Sequence, residues 1–511
     1  MKKLALIASL FLGIVSVTSA ETMNLTILHT NDIHGHLVPT FNKKENIEKG
    51  GIIRQSGLIN KIRNEVGSSS LLLLDAGDLS HGTAYSGIFK DRPNFKASRL
   101  IGFEALTLGN HEFNNGLTAL QELVKECGNN ILCCNLLNKN TGKPIFKPYQ
   151  IFIRNNIKIA VIGCIGVAAW DGVNKSNNTN IKFVGELEAV REYAEKLRQN
   201  NDLIVVLSHC GIDEDKLLAQ ELGEIDVIIG GHTHTEIPEP LFVRNRNKAR
   251  NCANELNGTI ICQTGSNGNN LGRLNLEFNN NKKLSKYNGS LIKVSSQHEN
   301  YASPSVIRLV NRYKNDLQKI LGDKVAHTNF PLLHAGKNNR DKPSSIGIFV
   351  AESMRSASNA DLCIINSGSI KYSMEPGDIT KKDLYEAAGF EDNLITYKMK
   401  GDYLKKALDF FAANYRNYDG YQFAGINVVF NTKNATAEQI KIGNEALKAD
   451  KIYTLCTNSF MAKGNDFGNV IFAKGTNKTD TGLSIYEALL KYCESVKELP
   501  DFNFVNYSYI K

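Results

Sequence analysis

Five short apolar runs in this sequence are each followed, within a few residues, by side chains that can bind a metal ion. The runs cover residues 25–28, 71–74, 105–108, 203–207 and 227–229. Runs of this length, bounded by glycine and followed by helix-like patterns, predict the strands of an α/β sheet. Because ligands and catalytic groups gather outside the carboxyl ends of such strands, we expect these polar side chains to share one edge of the fold.

The residue types after the runs predict the chemistry of that edge. They form the segments Asn31-Asp32-Ile33-His34-Gly35-His36, Gly77-Asp78, Gly109-Asn110-His111-Glu112, Ser208-His209 and Gly231-His232-Thr233-His234. Carboxylate and amide oxygens together with imidazoles suit divalent Mn, Zn, Fe or Co. One aspartate can bridge two such ions about 3.5–4 Å apart, and this pair acts on displacement at phosphorus. We therefore expect two divalent metal ions, with a metal-bound hydroxide as the attacking group.

These motifs resemble those of the calcineurin-like metallophosphoesterases, specifically the secreted bacterial 5'-nucleotidase/UDP-sugar hydrolase family. The resemblance implies a four-layer αββα sandwich followed by a second α/β domain that binds substrate, the two joined by a helix. It implies one ion held by Asp32, His34, Asp78 and His234, and another held by Asp78, Asn110, His209 and His232. His29 and His36 fall outside this ligand set and are interpreted as structural, and His81 stays unassigned.

The catalytic dyad implied by the resemblance is altered in this chain. The family pattern is Asn-His-Glu-Phe-Asp, in which the histidine and the aspartate act together. Here the run ends at Asn114, so an amide stands where the carboxylate would orient His111. We expect His111 and Asn114 to be the catalytic pair, with His111 stabilising the transition state.

The C-terminal half carries motifs that resemble the substrate pocket of the same family. The matching positions are Arg340, Asn366, Lys371, Phe390, Phe460 and Asp466. The two phenylalanines would sandwich the base, and Asp466 would accept hydrogen bonds from the ribose hydroxyls. Lys371 replaces an arginine, so a point charge stands where the family has a planar two-pronged donor. Asn465 also replaces the second of two glycines before Asp466.

Length and terminal composition predict the domain organisation. The chain has 511 residues, too many for one ordinary core. We expect a signal peptide at 1–20, a metal domain at 21–296, a linker helix at 297–324 and a nucleotide-binding domain at 325–511. The leader is predicted from Lys2 and Lys3, an apolar core and a small-residue cleavage site ending at Ala20. We expect a periplasmic or secreted protein without a membrane anchor.

Composition limits the partners and the cysteine chemistry. The formal charge of +8 falls to +6 without Lys2 and Lys3, and no dense basic run predicts a nucleic acid polymer as partner. We expect a monomer or a weak dimer. Five cysteines lie in apolar contexts that predict buried thiols: Cys164, Cys210, Cys262, Cys363 and Cys456. Cys252 with Cys262, and Cys127 with Cys133 or Cys134, are candidate disulfides.

The function implied by the resemblance is hydrolysis of nucleoside 5'-monophosphates, and also of UDP-sugars or other nucleotides. Three alternatives stay open on the same architecture. They are a 2',3'-cyclic-nucleotide phosphodiesterase/3'-nucleotidase, a hydrolase of sulfur compounds, and a weakly catalytic nucleotide-binding surface protein. The third is suggested by Asn114 and Lys371, whereas the full set of metal ligands favours catalysis.

Overall fold

The computed structural model describes residues 23–42, 47–173, 178–246, 254–334, 342–388, 392–415 and 420–510. These residues form two compact units. The first contains the described residues of 23–81 and 94–307, and the second contains 82–93 and those of 308–510. The short segment 82–93 therefore belongs with the C-terminal half, which the sequence did not indicate. Both units mix helices and sheets, as predicted.

The strands are β1 Met23–Thr30, β2 Thr40–Asn42, β3 Ile47–Lys49, β4 Leu71–Asp75, β5 Ala105–Leu106, β6 Leu136–Asn138, β7 Tyr149–Arg154, β8 Ile157–Ile165, β9 Ile181–Phe183, β10 Leu203–His209, β11 Val227–Gly230, β12 Leu241–Arg244, β13 Gly258–Cys262, β14 Asn270–Phe278, β15 Leu284–Lys293, β16 Lys324–Thr328, β17 Leu362–Asn366, β18 Gly377–Thr380, β19 Asn393–Lys400, β20 Tyr421–Ala424, β21 Ile426–Asn431, β22 Thr436–Ile442, β23 Glu445–Ala446, β24 Ile452–Asn458, β25 Thr476–Ser484, β26 Glu498–Leu499 and β27 Tyr507–Ile510.

The α-helices are α1 Ile52–Val66, α2 Ala84–Phe89, α3 Arg92–Ile101, α4 Gly116–Cys127, α5 Val167–Gly172, α6 Glu186–Arg198, α7 Ile212–Glu221, α8 Pro304–Leu321, α9 Ser345–Ala357, α10 Lys381–Ala388, α11 Gly401–Ala413, α12 Ser459–Ala462, α13 Gly468–Ile471 and α14 Ile485–Val496. Short 3₁₀ turns lie at Ser68–Ser70, His111–Phe113, Ser296–Tyr301 and Ser367–Ser369.

Two sheets form the first unit. Among its described residues one sheet has the order β15-β14-β1-β4-β5, and the other has the order β12-β13-β11-β10-β8-β7. Strands β1, β4 and β5 are parallel, with Thr26 opposite Leu71 and Leu74 opposite Ala105. Strands β8, β10 and β11 are also parallel. All five predicted apolar runs are therefore strands, and parallel neighbours end on the same side of their sheet.

The two sheets of the first unit share a core. Ile27 of β1 and Leu74 of β4 lie in one buried cluster with Val205 of β10 and Ile229 of β11. The alternate residues of β10 face the other way and pack against helices α6 and α7. Burial on both faces explains why these strands are continuously apolar rather than alternating.

The second unit is built on the sheet β20-β17-β24-β19-β25. One face packs against α9 and α14, where Phe349, Ile365 and Leu489 share a core. The other face packs against α11 and the strands of a second sheet, where Phe411 and Phe430 share a core. Helix α8, predicted from about Ser303 to Leu321, spans Pro304–Leu321, and the division between the units falls after Ile307.

The described cysteines are buried and form no disulfide with one another. Neither Cys133 nor Cys134 is bonded to Cys127, so the disulfide suggested among them is wrong. Cys133 instead directs its thiol at the side-chain oxygen of Asn135, 3.4 Å away. Cys262 is also a free thiol, and Cys252 lies outside the described residues. Across the described part of the chain, none of the helices combines the length and the apolar character needed to cross a membrane.

Candidate metal centre and substrate site

The loops that follow β1, β4, β5, β10 and β11 bring the sequence-predicted ligands together. Asp32 and Asp78 lie two and three residues after β1 and β4, and the two loops are joined because Asp32 N donates to Gly77 O at 2.8 Å. His209 is the last residue of β10, and His232 follows β11 by two residues. The expected convergence at strand ends is therefore present in the first unit.

Backbone conformation marks the same loops. Five of the seven predicted ligand positions have φ in the left-handed region: Asp32 at 51°, His34 at 48°, Asp78 at 54°, His232 at 76° and His234 at 52°. A non-glycine residue adopts this conformation at a cost of about 1–3 kcal/mol, and such residues cluster at functional sites. The turns at these five positions thus hold predicted ligands in a sparsely populated backbone conformation.

One group of ligand atoms gathers around Asp32. His34 Nε2 and His234 Nε2 lie 2.9 Å apart. His234 Nε2 is 3.3 Å and His34 Nε2 is 3.7 Å from Asp32 Oδ1. The Asp32 carboxylate is fully buried and is fixed by Asn31 Nδ2 at 2.6 Å and by the backbone N–H of His232. Two imidazole nitrogens and a carboxylate oxygen aimed at one point fit a divalent cation.

A second group gathers around Asp78. Its ligand atoms come from Asp78, His209 and His232. His209 Nε2 lies 3.2 Å from Asp78 Oδ2 and 4.0 Å from Asp32 Oδ1. His34 Nε2 is also 3.9 Å from Asp78 Oδ2. Asp78 thus faces ligands of both groups, which fits the bridging position expected from the sequence.

Two unpartnered polar atoms support the fit to metal ions. His209 Nδ1 lies 2.7 Å from the carbonyl oxygen of Ala76, so Nδ1–H donates to that carbonyl and Nε2 faces the centre, where a cation would take the place of a second proton. That Nε2 is buried without a hydrogen-bond partner, and so is Asn110 Oδ1. Buried polar atoms without partners are rare in folded proteins, and a cation at this position would satisfy both of them.

The electrostatics follow from crowding carboxylates and imidazoles in a buried space. Burial alone would raise the pKa of Asp78, but the imidazoles of His209 and His111 hold that pKa well below its usual range. Burial opposes protonation of His209, but the carboxylates of Asp78 and Asp32 raise its pKa to about 10. Burial lowers the pKa of His34 to about 4. The negative charge at the centre therefore attracts cations, and His34 is neutral at pH 7 and able to bind one.

Glycine is required at two approaches to this centre. A Cβ on Gly109 would lie 2.1 Å from Asp78 Oδ1, and one on Gly231 would lie 2.9 Å from His209 Nδ1. Both contacts are shorter than real Cβ atoms show, so the Gly-Asn and Gly-His pairs of the motifs let the backbone approach the ligands.

His111 lies at the border of the metal centre. One of its ring nitrogens lies within 4.8 Å of ligand atoms of His34 and Asp78, and its backbone N–H donates to Asp78 Oδ1 at 3.0 Å. The amide nitrogen of Asn114 lies 3.3 Å from His111 Nδ1. The expected pair of His111 and Asn114 is thus in contact through Nδ1 of the ring.

Sequence reasoning missed a residue that organises these loops. Glu112 is buried, and its carboxylate accepts hydrogen bonds from the backbone N–H groups of Asp78, Ser80 and Gly109 at 2.7–3.0 Å. Burial raises its pKa. The signal was present in the Gly-Asn-His-Glu motif, where Glu112 is the member that is neither ligand nor catalytic group.

His29, His36 and His81, which fall outside the expected ligand set, have different surroundings. His29 is buried against Gly272, and burial lowers its pKa to about 3. His36 is buried, and its Nδ1 lies 2.9 Å from the carbonyl oxygen of His34. His81 is half-buried and stacks on His111, with ring centroids 4.5 Å apart and planes inclined by 9°.

The second unit contains the described members of the predicted substrate pocket. Phe460 lies on α12 with 39% of its surface exposed, and Lys371 is exposed. Asp466 has a φ of 45°, and its carbonyl oxygen accepts from the hydroxyl of Tyr421 at 2.6 Å. The Asn366 side chain is buried and accepts from Ser369 at 2.7 Å, so it holds its own loop. Arg340 and Phe390 lie outside the described residues.

Two protein families match different parts of the chain. Residues 25–236 match the calcineurin-like phosphoesterases, and residues 324–472 match the 5'-nucleotidase C-terminal domain. The first match contains every predicted metal ligand, and the second contains all six predicted substrate-binding positions. The predicted metal ligands therefore lie in the N-terminal match, and the predicted substrate-binding residues lie in the C-terminal match.

Individual proteins match over nearly the full length. A 5'-nucleotidase of Vibrio cholerae is 30% identical over 511 residues, which cover 93% of this chain and 91% of that protein. The protein UshA of Yersinia enterocolitica is 29% identical over 514 residues, which cover 93% and 91%. Among solved structures, a 5'-nucleotidase precursor from Thermus thermophilus superposes with a TM-score of 0.75 at 23% identity, covering 96% of this chain and 99% of that one. This last likeness concerns the fold.

Proposed function

We propose, because this chain belongs to the 5'-nucleotidase family of calcineurin-like metallophosphoesterases, that it hydrolyses nucleoside 5'-monophosphates to nucleosides and phosphate with two divalent cations. The observation that carries the proposal is the convergence of Asp32, His34, Asp78, His209 and His232 at one edge of the first unit. Two orphaned, buried ligand atoms at the same edge point to cations rather than to a network of internal hydrogen bonds.

The ligand set divides around Asp78. Asp32, His34, Asp78 and His234 would hold one ion, and Asp78, Asn110, His209 and His232 would hold the other. Oxygen ligands from Asp and Asn with imidazole nitrogens suit Mn, Zn, Co or Fe. When bound, such a pair of ions supplies positive charge to the phosphoryl oxygens and increases the acidity of water.

The protein's own residues orient the reaction. Asn31 and the His232 backbone fix Asp32, and Ala76 fixes the tautomer of His209. His111 lies beside the ligand atoms of Asp78 and can donate to a phosphoryl oxygen as negative charge develops there. Asn114 contacts Nδ1 of the His111 ring.

The nucleoside would be recognised by the second unit. Phe460 offers an exposed aromatic face, and stacking on a base contributes about 1–3 kcal/mol without selecting its identity. Asp466 would accept from the ribose hydroxyls, and Lys371 with Arg340 would meet negative charge. Phe390 would form the second face of the base sandwich. Asn366 would act indirectly, because its amide holds the loop that carries Lys371.

The composition of residues 1–20 suggests where in the cell the protein acts. Residues 1–20 combine Lys2 and Lys3 with an apolar core and end at Ala20. We infer that they direct export and that the mature protein dephosphorylates nucleotides in the periplasm or outside the cell.

A phosphate-release panel tests the function. The purified protein is stripped with a chelator, reloaded with Mn, Co or Zn, and supplied with 5'-, 3'- and 2',3'-cyclic nucleotides, UDP-glucose and an aryl phosphate. We expect the highest kcat/KM on 5'-monophosphates and no turnover in chelator. A clear preference for cyclic or 3'-nucleotides would replace the 5'-nucleotidase proposal with the phosphodiesterase alternative.

Asp78 provides the matched variant for this panel. Asp78→Ala removes the ligand shared by both groups, so we expect metal content to fall at both sites and activity to be lost. Asp213→Ala changes an aspartate that is 85% exposed on α7 and should behave as wild type. Wild-type turnover by Asp78→Ala would disprove the two-metal assignment.

A further inference from the structure

His81 lies three residues after Asp78 and turns back over the catalytic histidine. Its φ is 67°, in the left-handed region, and the following residue, Gly82, has a φ of 106°. Two successive left-handed residues reverse the chain sharply. The result is a half-buried imidazole that lies parallel to His111, with ring centroids 4.5 Å apart and planes 9° from parallel.

Three of the described side chains contact the His111 ring, each in a different way. Asn114 contacts Nδ1 at 3.3 Å. His34 approaches with a centroid distance of 5.3 Å and an angle of 79° between planes, which is an edge contact. His81 covers one face. A single long amide contact at Nδ1 leaves the ring free to tilt out of its plane, and a ring stacked on its face opposes that tilt.

The left-handed backbone at His81 strengthens this interpretation. The other non-glycine residues of the metal loops with positive φ include Asp32, His34 and Asp78, all of which point side chains into the centre. A left-handed conformation is uncommon for non-glycine residues, although histidine adopts it more often than most, and it costs about 1–3 kcal/mol. The turn at His81 therefore places a specific side chain and does not only reverse the chain.

We propose that His81 is a positioning residue for His111, and that its stacked ring keeps the His111 imidazole in the orientation that presents its free nitrogen to the phosphoryl group. The inference rests on the proposed phosphohydrolase function. His81 acts through His111, so its contribution should appear in kcat and should depend on the presence of His111. Orientation of a catalytic group contributes strongly to rate, and a small misplacement can lower the rate by up to about a hundredfold.

Substitutions at His81 separate stacking from other roles. His81→Ala removes the ring, and His81→Phe keeps a flat aromatic ring, somewhat larger than imidazole and without nitrogens. We expect His81→Ala to lower kcat about tenfold with KM within about twofold of wild type. We expect His81→Phe to recover kcat to within about threefold. His327→Ala, which removes a histidine that is 40% exposed in the second unit, serves as control and should not change kcat.

A double-mutant cycle tests whether the effect passes through His111. In a His111→Ala background, His81→Ala should cause no further loss, because the ring that it positions is absent. A full tenfold loss in that background would overturn the proposal, and so would a His81→Phe variant as slow as His81→Ala. Wild-type kcat in His81→Ala would do the same.

A spectroscopic readout tests the stack without turnover. In protein labelled with ¹³C-histidine, the ring signals of His111, assigned by their loss in His111→Ala, should shift in His81→Ala and shift less in His81→Phe. Unchanged His111 signals in His81→Ala would overturn the stack itself. Absence of phosphate release by the wild type with every metal would instead count against the proposed function, and the ring signals would still report on the stack.

Discussion

The side chain that contacts Nδ1 of His111, the predicted catalytic histidine, is an amide. Asn114 lies 3.3 Å from His111 Nδ1 and can contact that nitrogen, but it supplies no negative charge. In Asn114→Asp a carboxylate would accept from the Nδ1–H and stabilise positive charge on the ring as it meets the phosphoryl oxygens. We expect kcat to rise about ten- to a hundredfold, which is about 1.4–2.7 kcal/mol of transition-state stabilisation. Single-turnover rates on a 5'-monophosphate would measure it.

A neighbouring residue offers the control for that change. Asn115 is exposed, so Asn115→Asp adds the same charge one residue further along the chain, and we expect it to leave kcat near wild type. A lower or unchanged rate in a folded, metal-loaded Asn114→Asp protein would mean that the site works with the amide. In that case Asn114 would donate to Nδ1 and fix the proton on the other ring nitrogen.

Among the structural elements, the loops after β4 and β5 depend on one buried carboxylate. Glu112 accepts from the backbone N–H groups of Asp78, Ser80 and Gly109. Glu112→Gln places an amide N–H₂ against at least one of these donors, which leaves a buried group unpaired. We expect metal affinity to fall about 10–100-fold, as is typical when a partner that orients metal ligands is changed. Competition with a chromogenic chelator would measure this.

Glu122, on the helix that follows the 3₁₀ turn of Glu112, provides the control. It is exposed on α4, so Glu122→Gln makes the same chemical change away from the loops and should leave metal affinity unaltered. Equal metal affinities for Glu112→Gln and wild type would show that the loops hold their predicted ligands without the Glu112 carboxylate.

The strand ends could be predicted from sequence, but the loops between them could not. Apolar runs followed by Asp, Asn and His placed β1, β4, β10 and β11 correctly, because burial on both faces leaves a continuous apolar pattern. The stacking of His81 on His111 had no such signal, because the apolar pattern does not specify the left-handed backbone conformation at His81 on which the stack depends. The sequence also did not predict that the Asn366 side chain bonds within its own loop, since an asparagine in a loop motif can face either a substrate or the loop itself.

For the whole molecule, the buried carboxyl of Asp215 is expected to make the free energy of unfolding depend on pH. Asp215 on α7 is fully buried and accepts from Ser208, and burial raises its pKa to about 8. Between pH 4 and 8 the folded protein keeps a proton that the unfolded chain has lost. The free energy of unfolding should therefore fall as pH rises through this range and level off above it, by at most about 1.4 kcal/mol per pH unit.

Asp215→Asn separates this contribution from those of other groups. The amide cannot ionise, so the variant should lose less stability than wild type between pH 5 and 8. Urea unfolding at fixed metal concentration would measure the difference, with Asp213→Asn on the exposed side of the same helix as control. Parallel curves for Asp215→Asn and wild type would show that Asp215 does not titrate in this range.

We expect substrate recognition to need both halves of the molecule, because the predicted metal ligands lie in the first unit and the predicted nucleoside pocket lies in the second. Phe460→Ala removes an exposed ring that we expect to stack on the base. Loss of about 1–3 kcal/mol of stacking should raise KM for nucleotides about tenfold or more. Hydrolysis of a small aryl phosphate should change less, because that substrate has no nucleoside for the second unit to bind.

A second exposed phenylalanine, Phe330, provides the control for Phe460→Ala. Phe330 in the same unit is 40% exposed, against 39% for Phe460, and lies outside the predicted pocket motifs, so Phe330→Ala should leave both substrates unaffected. Steady-state kinetics of the two variants on a 5'-monophosphate and on the aryl phosphate would give four KM values. Equal losses on both substrates in Phe460→Ala would indicate a folding defect and would return Phe460 to a structural role. A selective loss on the nucleotide would place the base at Phe460 and would link recognition in the second unit to hydrolysis in the first.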